Sequence, residues 1–252
     1  IAEIVEIARE HNLFLIADEV YSNIRYEGLS KTGHGREGSE HLKLAQVVGD
    51  LPAIAMRGIS KEFPWPGGRC GWLEFYNRDK DATFDRYCRS LTDAKMLEVC
   101  STTLPQAVIP EVMSDERYFP YLKERCARYE RRADELTEVL GDIDGLIVNK
   151  AYGAFYMTVV FEDGVLTNDQ SLAIENDAAT EIIAPALDAA TNLDKRFVYY
   201  LLAATGICVV PLSSGFNSDL QGFRITLLER DDEKFTWIVS TLKKAIEEYL
   251  AS

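Results

Sequence analysis

The segment of this sequence with the clearest chemical potential is a lysine followed by a tight loop that carries an arginine. Lys61 comes directly after Ser60, and Arg69 follows the lysine after a run rich in proline and glycine. Those residues impose a rigid, compact path that returns the arginine towards the lysine. A lysine amine can attack a carbonyl, and an arginine fork can hold a phosphate ester. The alternatives are a surface lysine in a loop and a structural salt bridge of Arg69.

A second polar cluster follows a short apolar run. Residues 13–17 are continuously apolar, which favours a parallel strand buried on both faces. Asp18 stands at the end of that run, where open α/β sheets present ligand-binding groups. A carboxylate buried there requires a cationic partner, such as a protonated pyridine nitrogen. Tyr21 could donate to a phenolate oxygen of the same ligand. The alternatives are an aspartate that caps a helix and a core tyrosine.

An amine, a guanidinium, a carboxylate and a phenol together form the set that pyridoxal phosphate requires. The segments 18–21, 60–61 and 66–72, in this order and at this spacing, resemble the fold-type I pyridoxal-phosphate enzymes of aminotransferase class I/II. The similarity continues in residues 153–156, 209–211 and 222–227. It therefore covers nearly the whole chain.

This resemblance implies a role for each of the residues above. Lys61 is similar to the lysine that forms the Schiff base with the cofactor and moves the proton at the substrate α-carbon. Asp18 is similar to the residue that pairs with the pyridine nitrogen, and Tyr21 to the one that binds the ring oxygen O3′. Ser60 and Arg69 are expected to contact the cofactor phosphate.

Two further positions matter for the comparison with the family. Arg224, on a predicted strand, is similar to the arginine that binds the substrate α-carboxylate, with a strand-edge ion pair as the alternative. Many members carry Ser or Thr three residues before the lysine, whereas this sequence has Gly58. Either the Ser60 hydroxyl compensates in part for the missing hydroxyl at position 58, or this protein binds the phosphate more weakly than those members.

The predicted fold class is α/β. Residues 1–127 are expected to form part of a large domain with a mostly parallel sheet flanked by helices, and residues 128–252 an α+β small domain. A long amphipathic pattern over 116–140 predicts the helix that connects them. The chain begins with Ile1 inside a helical pattern, and it lacks the phosphate-binding loop and the ring-stacking aromatic of the family's first half. We therefore expect a fragment or a processed chain.

The amino-acid composition argues against some classes of binding partner. The chain has 252 residues and a formal net charge of −14, which argues against nucleic acid and anionic membranes. Neither a signal peptide nor an apolar run of about 20 residues is found, which favours the cytoplasm. Five widely spaced cysteines predict reduced, mostly buried thiols, and the three histidines have no metal-ligand spacing. Residues 162–194 contain eight acids and no lysine or arginine, which is typical of a solvated insertion.

The predicted function is amino-group transfer between an α-amino acid and a 2-oxo acid by a homodimer with pyridoxal 5'-phosphate. Two alternatives remain open at this point. One is an elimination enzyme, such as a C–S lyase, on the same scaffold, because Lys61 and Asp18 serve that chemistry equally well. The other is a truncated fragment that folds but does not catalyse.

Overall fold

A computed structural model describes residues 1–26 and 43–252. These residues divide into two compact units, Ile1–Cys126 and Ala127–Ser252. Their identification with the predicted domains 1–127 and 128–252 remains a prediction. The polar stretch from residue 27, with His34 and His41, lies outside the described residues. Within the described part, no helix combines the length and apolarity needed to cross a membrane, and no three acidic, histidine or cysteine side chains cluster as a metal site would require.

The first unit combines a three-stranded sheet with helices. Its elements are α1 (Ala2–Glu10), β1 (Leu15–Asp18), α2 (Leu44–Val47), β2 (Ala53–Gly58), β3 (Gly71–Tyr76), α3 (Ala82–Lys95), α4 (Thr103–Ser114) and the start of α5 (Tyr118–Gly141). The strand order is β1-β2-β3. β1 and β2 pair in parallel, as predicted, whereas β3 runs antiparallel to β2. The predicted α/β class is confirmed.

One face of this sheet is covered by the first helices. Val5 and Ala8 of α1 and Leu44 of α2 pack with the alanines of β2 in one apolar cluster. The prediction that β1 is buried on both faces is wrong. Phe14 is 44% exposed and Ile16 is 50% exposed. β1 pairs with β2 along one edge, and its alternate residues point away from α1. On that face Phe14 contacts Phe84 and Tyr87 of α3, but Ile16 stays half exposed.

The loop that joins β2 to β3 is closed tightly at its base. Gly58 and Gly71 are directly opposite each other in the antiparallel register. A Cβ atom on Gly71 would lie 2.7 Å from the backbone oxygen of Arg57, closer than any ordinary contact. The Ile59 amide donates to Cys70 O (3.2 Å), so the pairing continues one step into the loop. This close approach requires glycine at position 71.

The second unit is an antiparallel sheet with helices, as predicted for its α+β class. It contains the rest of α5, then β4 (Leu146–Asn149), β5 (Tyr156–Phe161), α6 (Asp177–Ala189), α7 (Leu193–Thr205), β6 (Val210–Pro211), α8 (Leu212–Phe216), β7 (Gly222–Thr226) and α9 (Asp232–Ala251). The strand order is β4-β5-β7-β6, and each neighbouring pair is antiparallel. The segment 209–211, where the sequence resembles the family, contains the two-residue strand β6.

Aromatic side chains fill the core of the second unit. Phe197 of α7 lies 5.2 Å from Phe161 of β5, 5.7 Å from Phe223 of β7 and 5.2 Å from Tyr249 of α9, measured between ring centroids. Offset and edge-on ring pairs at this spacing add to the free energy gained by burial. One phenylalanine thus joins the sheet to two helices.

A buried aspartate connects three elements of the second unit. Asp194, near the start of α7, has 0% exposure. Its carboxylate accepts hydrogen bonds from the Ser213 amide (2.9 Å), the Ser213 hydroxyl and the Gly222 amide (3.2 Å). The prediction that residues 162–194 form a solvated insertion is therefore wrong for Asp194. The stretch is acidic overall, but three donors at fixed positions take the place of water around this one carboxylate.

The cysteines also depart in part from expectation. All five lie within the described residues, and none of them forms a disulfide there. Cys88 and Cys126 are buried, Cys70 is intermediate, and Cys100 and Cys208 are exposed. The prediction of mostly buried thiols is therefore only partly correct. The two exposed thiols lie in connecting segments outside the helices and strands, where less of the chain covers them.

We predict that Gly71→Ala destabilises the protein by about 2 kcal/mol, because the new methyl group would overlap the Arg57 carbonyl. Chemical denaturation followed by circular dichroism measures the loss. Gly67→Ala is the matched control in the same loop, since a Cβ there meets no heavy atom within 4 Å. An equal effect of the two substitutions would contradict the close approach.

We predict that Asp194→Ala lowers the free energy of unfolding by about 2–4 kcal/mol, because it removes the acceptor of the buried Gly222 amide and of the partly buried Ser213 amide. Asp188→Ala removes an exposed carboxylate from the same acidic segment and serves as the control. Thermal and urea unfolding of both variants are the measurements. Wild-type stability of Asp194→Ala would exclude the proposed connection.

Candidate active site

The parallel pairing of β1 and β2 brings the two predicted clusters to the same edge of the sheet. Asp18, the last residue of β1, lies opposite Met56 of β2. Both strands therefore end on the same side, and the residues that follow them are neighbours. Lys61 Nζ lies 5.6 Å from the centroid of the Tyr21 ring. An amine and a phenol that are far apart in the sequence thus meet at one place.

Asp18 is positioned at this edge but is exposed, not buried as predicted. Its Oδ1 accepts a hydrogen bond from the Val20 amide (3.2 Å), which stabilises the turn after β1. Asp18 and Tyr21 line a cleft of about 340 Å³ together with Ile1, Ile4 and Ile16. The exposed face of β1 explains the difference, because no described side chain covers the carboxylate from that side.

The structure gives Arg69 a partner inside its own loop. Its backbone has the left-handed conformation, with φ of 46°, after the turn Pro66–Gly68. Its Nη1 atom donates to the backbone oxygen of Pro66 (3.0 Å), and the side chain is exposed. Ser60 is half-buried in the turn before Lys61. Phosphate contacts of Ser60 and Arg69 remain predictions.

Three residues that the sequence patterns did not single out support the Lys61 loop. Glu62 is buried, and its Oε1 accepts a hydrogen bond from Asn23 Nδ2 (2.7 Å) in the segment after Tyr21. Arg125 of α5 donates to the backbone oxygens of Glu62 (2.6 Å) and Lys61 (3.3 Å). No local motif could have identified these residues, because each acts on a partner that is distant in the chain.

An ion-pair network lies on the covered face of the same sheet. Arg57 Nη2 is 2.9 Å from Glu19 Oε2, and Arg57 Nε is 3.3 Å from Glu74 Oε1. Burial opposes ionisation of Glu74, but hydrogen bonds from Tyr76 and Trp72 and the charge of Arg57 outweigh it, so the pKa of this carboxyl is lowered. Burial and the hydrogen bond to Glu74 raise the pKa of Tyr76 to about 12. The network keeps Glu74 ionised and Tyr76 protonated near neutral pH.

Arg224 of the second unit is held by aromatic rings. β7 lies between β5 and β6, so Arg224 is not on a sheet edge. Its guanidinium carbon is 4.3 Å from the ring centroid of Tyr156 and 4.3 Å from that of Phe216. Among the described residues, its buried Nε atom has no hydrogen-bond partner. Within the described part of the chain no ion pair of Arg224 is found, and the charged group lies over the rings of Tyr156 and Phe216.

The chain is similar to aminotransferases in both sequence and fold. The family model described as aminotransferase class I and II matches residues 1–241. An uncharacterized aminotransferase of Methanocaldococcus jannaschii is 52% identical over 248 residues, which cover 98% of this chain and 55% of that protein. The glutamate-pyruvate aminotransferase of Escherichia coli is 30% identical over 155 residues, which cover 62% of this chain and 35% of that protein.

The chain also shares its fold with a solved structure. The structure of an alanine aminotransferase from Pyrococcus furiosus superposes with a TM-score of 0.73 at 24% identity, over 98% of this chain and 52% of that one. Nearly all of this chain matches the Methanocaldococcus jannaschii and Pyrococcus furiosus proteins, and it spans about half the length of each. The family match over residues 1–241 and the shared fold show that this chain belongs to the aminotransferase class I and II family.

Proposed function

We propose that this chain is part of a pyridoxal-phosphate-dependent aminotransferase, which moves an amino group between an α-amino acid and a 2-oxo acid. The observation that carries the proposal is the position of Lys61 Nζ, 5.6 Å from the Tyr21 ring at the strand edge where β1 ends in Asp18. Family membership supports the same chemistry. Every matched relative described above is named as an aminotransferase.

The donor set of this edge fits pyridoxal phosphate. Lys61 supplies the amine that would hold the cofactor aldehyde covalently, and Tyr21 supplies a phenol within reach of the same place. Asp18 opens onto the cleft of about 340 Å³ and offers a carboxylate to a protonated ring nitrogen. When bound, pyridoxal phosphate supplies an electron sink for the bond electrons released at the substrate α-carbon.

The residues of this chain then have distinct tasks. Lys61 would accept the proton from the substrate α-carbon and deliver it to the cofactor carbon that takes up the amino group. Its amine could reach both positions because it lies on a long, movable side chain. The Tyr21 hydroxyl would donate to the ring oxygen. Ser60 and Arg69 are proposed phosphate ligands, for which Arg69 would exchange its hydrogen bond to Pro66 O.

Arg224 is the proposed ligand of the substrate α-carboxylate. Its guanidinium carbon lies 4.3 Å from the ring centroids of both Tyr156 and Phe216, which would hold the group in place, and among the described residues its Nε is not used in a hydrogen bond. A planar fork held in this way suits the bidentate recognition of a carboxylate.

The proposed protein is a cytoplasmic homodimer that acts on a neutral amino acid. The segment after α3 exposes Met96, Leu97 and Val99 by 76%, 83% and 91%, and such apolar groups are typical of a surface that a second chain covers. We propose a neutral substrate because the sequence motifs contain no second arginine, which would be needed to bind the distal carboxylate of an acidic amino acid. The name of the Escherichia coli relative makes alanine with 2-oxoglutarate the first pair to assay.

We predict that Lys61→Ala abolishes covalent cofactor attachment and amino transfer, because it removes the amine that lies beside Tyr21. Purified protein is incubated with pyridoxal phosphate and reduced with borohydride, and the labelled peptide is located by mass spectrometry. Alanine and 2-oxoglutarate are then supplied, and glutamate and pyruvate are measured.

Lys80→Ala is the control, since Lys80 is more than half exposed and lies at the end of β3 away from this edge. Wild-type labelling of Lys61→Ala would disprove the assignment of the lysine. Release of pyruvate and ammonia from an amino acid with a β leaving group, such as cysteine, without any 2-oxo acid acceptor would instead favour the elimination alternative.

We predict that Gly58→Ser strengthens cofactor binding by about tenfold, because the family's hydroxyl at this position would donate to the phosphate. A Cβ at Gly58 makes only ordinary contacts, the nearest at 3.6 Å from Cys70 O, so serine fits without strain. Gly58→Ala adds the same Cβ without the hydroxyl and is the matched control. Absorbance titration with pyridoxal phosphate measures both affinities, and equal values would contradict a phosphate site here.

A further inference from the structure

We infer that Arg125 is a positioning residue that sets the direction of the Lys61 side chain. This inference rests on the proposed function of Lys61 and adds a residue from a distant helix to it. Arg125 is 5% exposed, and its two terminal nitrogens bind the backbone oxygens of Lys61 (3.3 Å) and Glu62 (2.6 Å). The guanidinium therefore binds the backbone carbonyl groups of two consecutive residues, Lys61 and Glu62.

A second set of contacts joins the same helix to the other half of the site. Cys126, the neighbour of Arg125 in α5, directs its Sγ to the backbone oxygen of Asn23 (3.6 Å). Asn23 in turn donates from Nδ2 to Glu62 Oε1 (2.7 Å). The Lys61 loop and the segment after Tyr21 are therefore bound to each other and to consecutive residues of one helix.

The geometry explains why an arginine is required for this task. Its rigid fork reaches two acceptors at once, so it fixes both the position and the rotation of the backbone at Lys61. A side chain with a single donor would fix the position of this backbone but not its rotation. The reactive nitrogen lies at the end of a long side chain, where a small rotation of the backbone produces a large displacement. A misplacement of about 1 Å at a reacting atom can slow a reaction by about 100-fold.

A buried arginine could also serve stability alone, and the same helix contains an example. Arg132 is 2% exposed and binds a backbone oxygen, that of Leu227 (3.1 Å), and Asp232 Oδ1 (2.8 Å). None of these partners belongs to the Lys61 loop. Arg132→Met is therefore the control for loss of a buried, carbonyl-bound guanidinium from α5, and it separates a general loss of stability from an effect on Lys61.

The experiment compares Arg125→Met, Arg125→Lys and Arg132→Met with the wild type. The first readout is the rate of covalent attachment of Lys61 at saturating pyridoxal phosphate, measured by borohydride trapping and peptide mass spectrometry. The second needs no cofactor: it is hydrogen–deuterium exchange of the peptide that spans residues 59–65. Urea unfolding places the variants on a common scale of stability.

We expect attachment to be about 10- to 100-fold slower in Arg125→Met. Arg125→Lys should fall between that variant and the wild type, and exchange over residues 59–65 should be faster in both. Arg132→Met should lose stability yet keep the wild-type attachment rate and exchange. If Arg125→Met does not fold, Arg125→Lys supplies the comparison.

The inference is overturned if Arg125→Met attaches the cofactor at the wild-type rate, or if Arg132→Met slows attachment to the same extent. A wild-type protein that never attaches the cofactor at Lys61 would overturn the proposed function instead. The exchange experiment still tests Arg125 in that case, because unchanged exchange over residues 59–65 in both Arg125 variants would show that the guanidinium does not fix the loop.

Discussion

The candidate site depends on the parallel pairing of β1 with β2. Parallel strands end at the same edge of a sheet, so Asp18 and the turn after it become neighbours of the Lys61 turn. An antiparallel pairing of the same strands would place these groups at opposite ends. The tight β2–β3 connection adds a second constraint, because the Gly58–Gly71 pair closes the base of the Lys61 loop. Backbone hydrogen bonds thus decide which side chains can meet before any side-chain contact is considered.

Buried charges in both units follow one rule, which is that each has partners at short range. In the first unit Glu19 and Arg57 form an ion pair, and Arg125 is bound by carbonyl oxygens. In the second unit Asp194 accepts hydrogen bonds, and Arg132 binds a carbonyl oxygen and a carboxylate. Such contacts offset the free-energy cost of removing a charge from water. When one partner is lost, that cost is no longer offset and the protein is destabilised. The charged groups therefore specify the geometry of the loops and helix ends that they join.

The sequence allowed Lys61, Asp18 and Tyr21 to be found, because the signals around them are local. An apolar run ends at Asp18, and proline and glycine punctuate the chain after Lys61. The helix over 116–140 and the strand in residues 13–17 were predictable from their residue patterns for the same reason. Arg125 was not, because its partners lie 63 and 64 residues away. Burial was the least predictable property, as the exposed Asp18 and the buried Asp194 illustrate, since it depends on which neighbours cover a residue.

The aromatic stacking of Arg224 has an electrostatic consequence. A carboxylate beside the guanidinium would hold it firmly but would also neutralise it. Tyr156 and Phe216 restrain the group through their ring faces and carry no net charge, so its full positive charge is retained. Arginine remains protonated over the whole physiological range, and stacking is screened by salt far less than a surface ion pair. Arg224 thus keeps its full positive charge within an otherwise strongly acidic chain, and such a charge attracts anions.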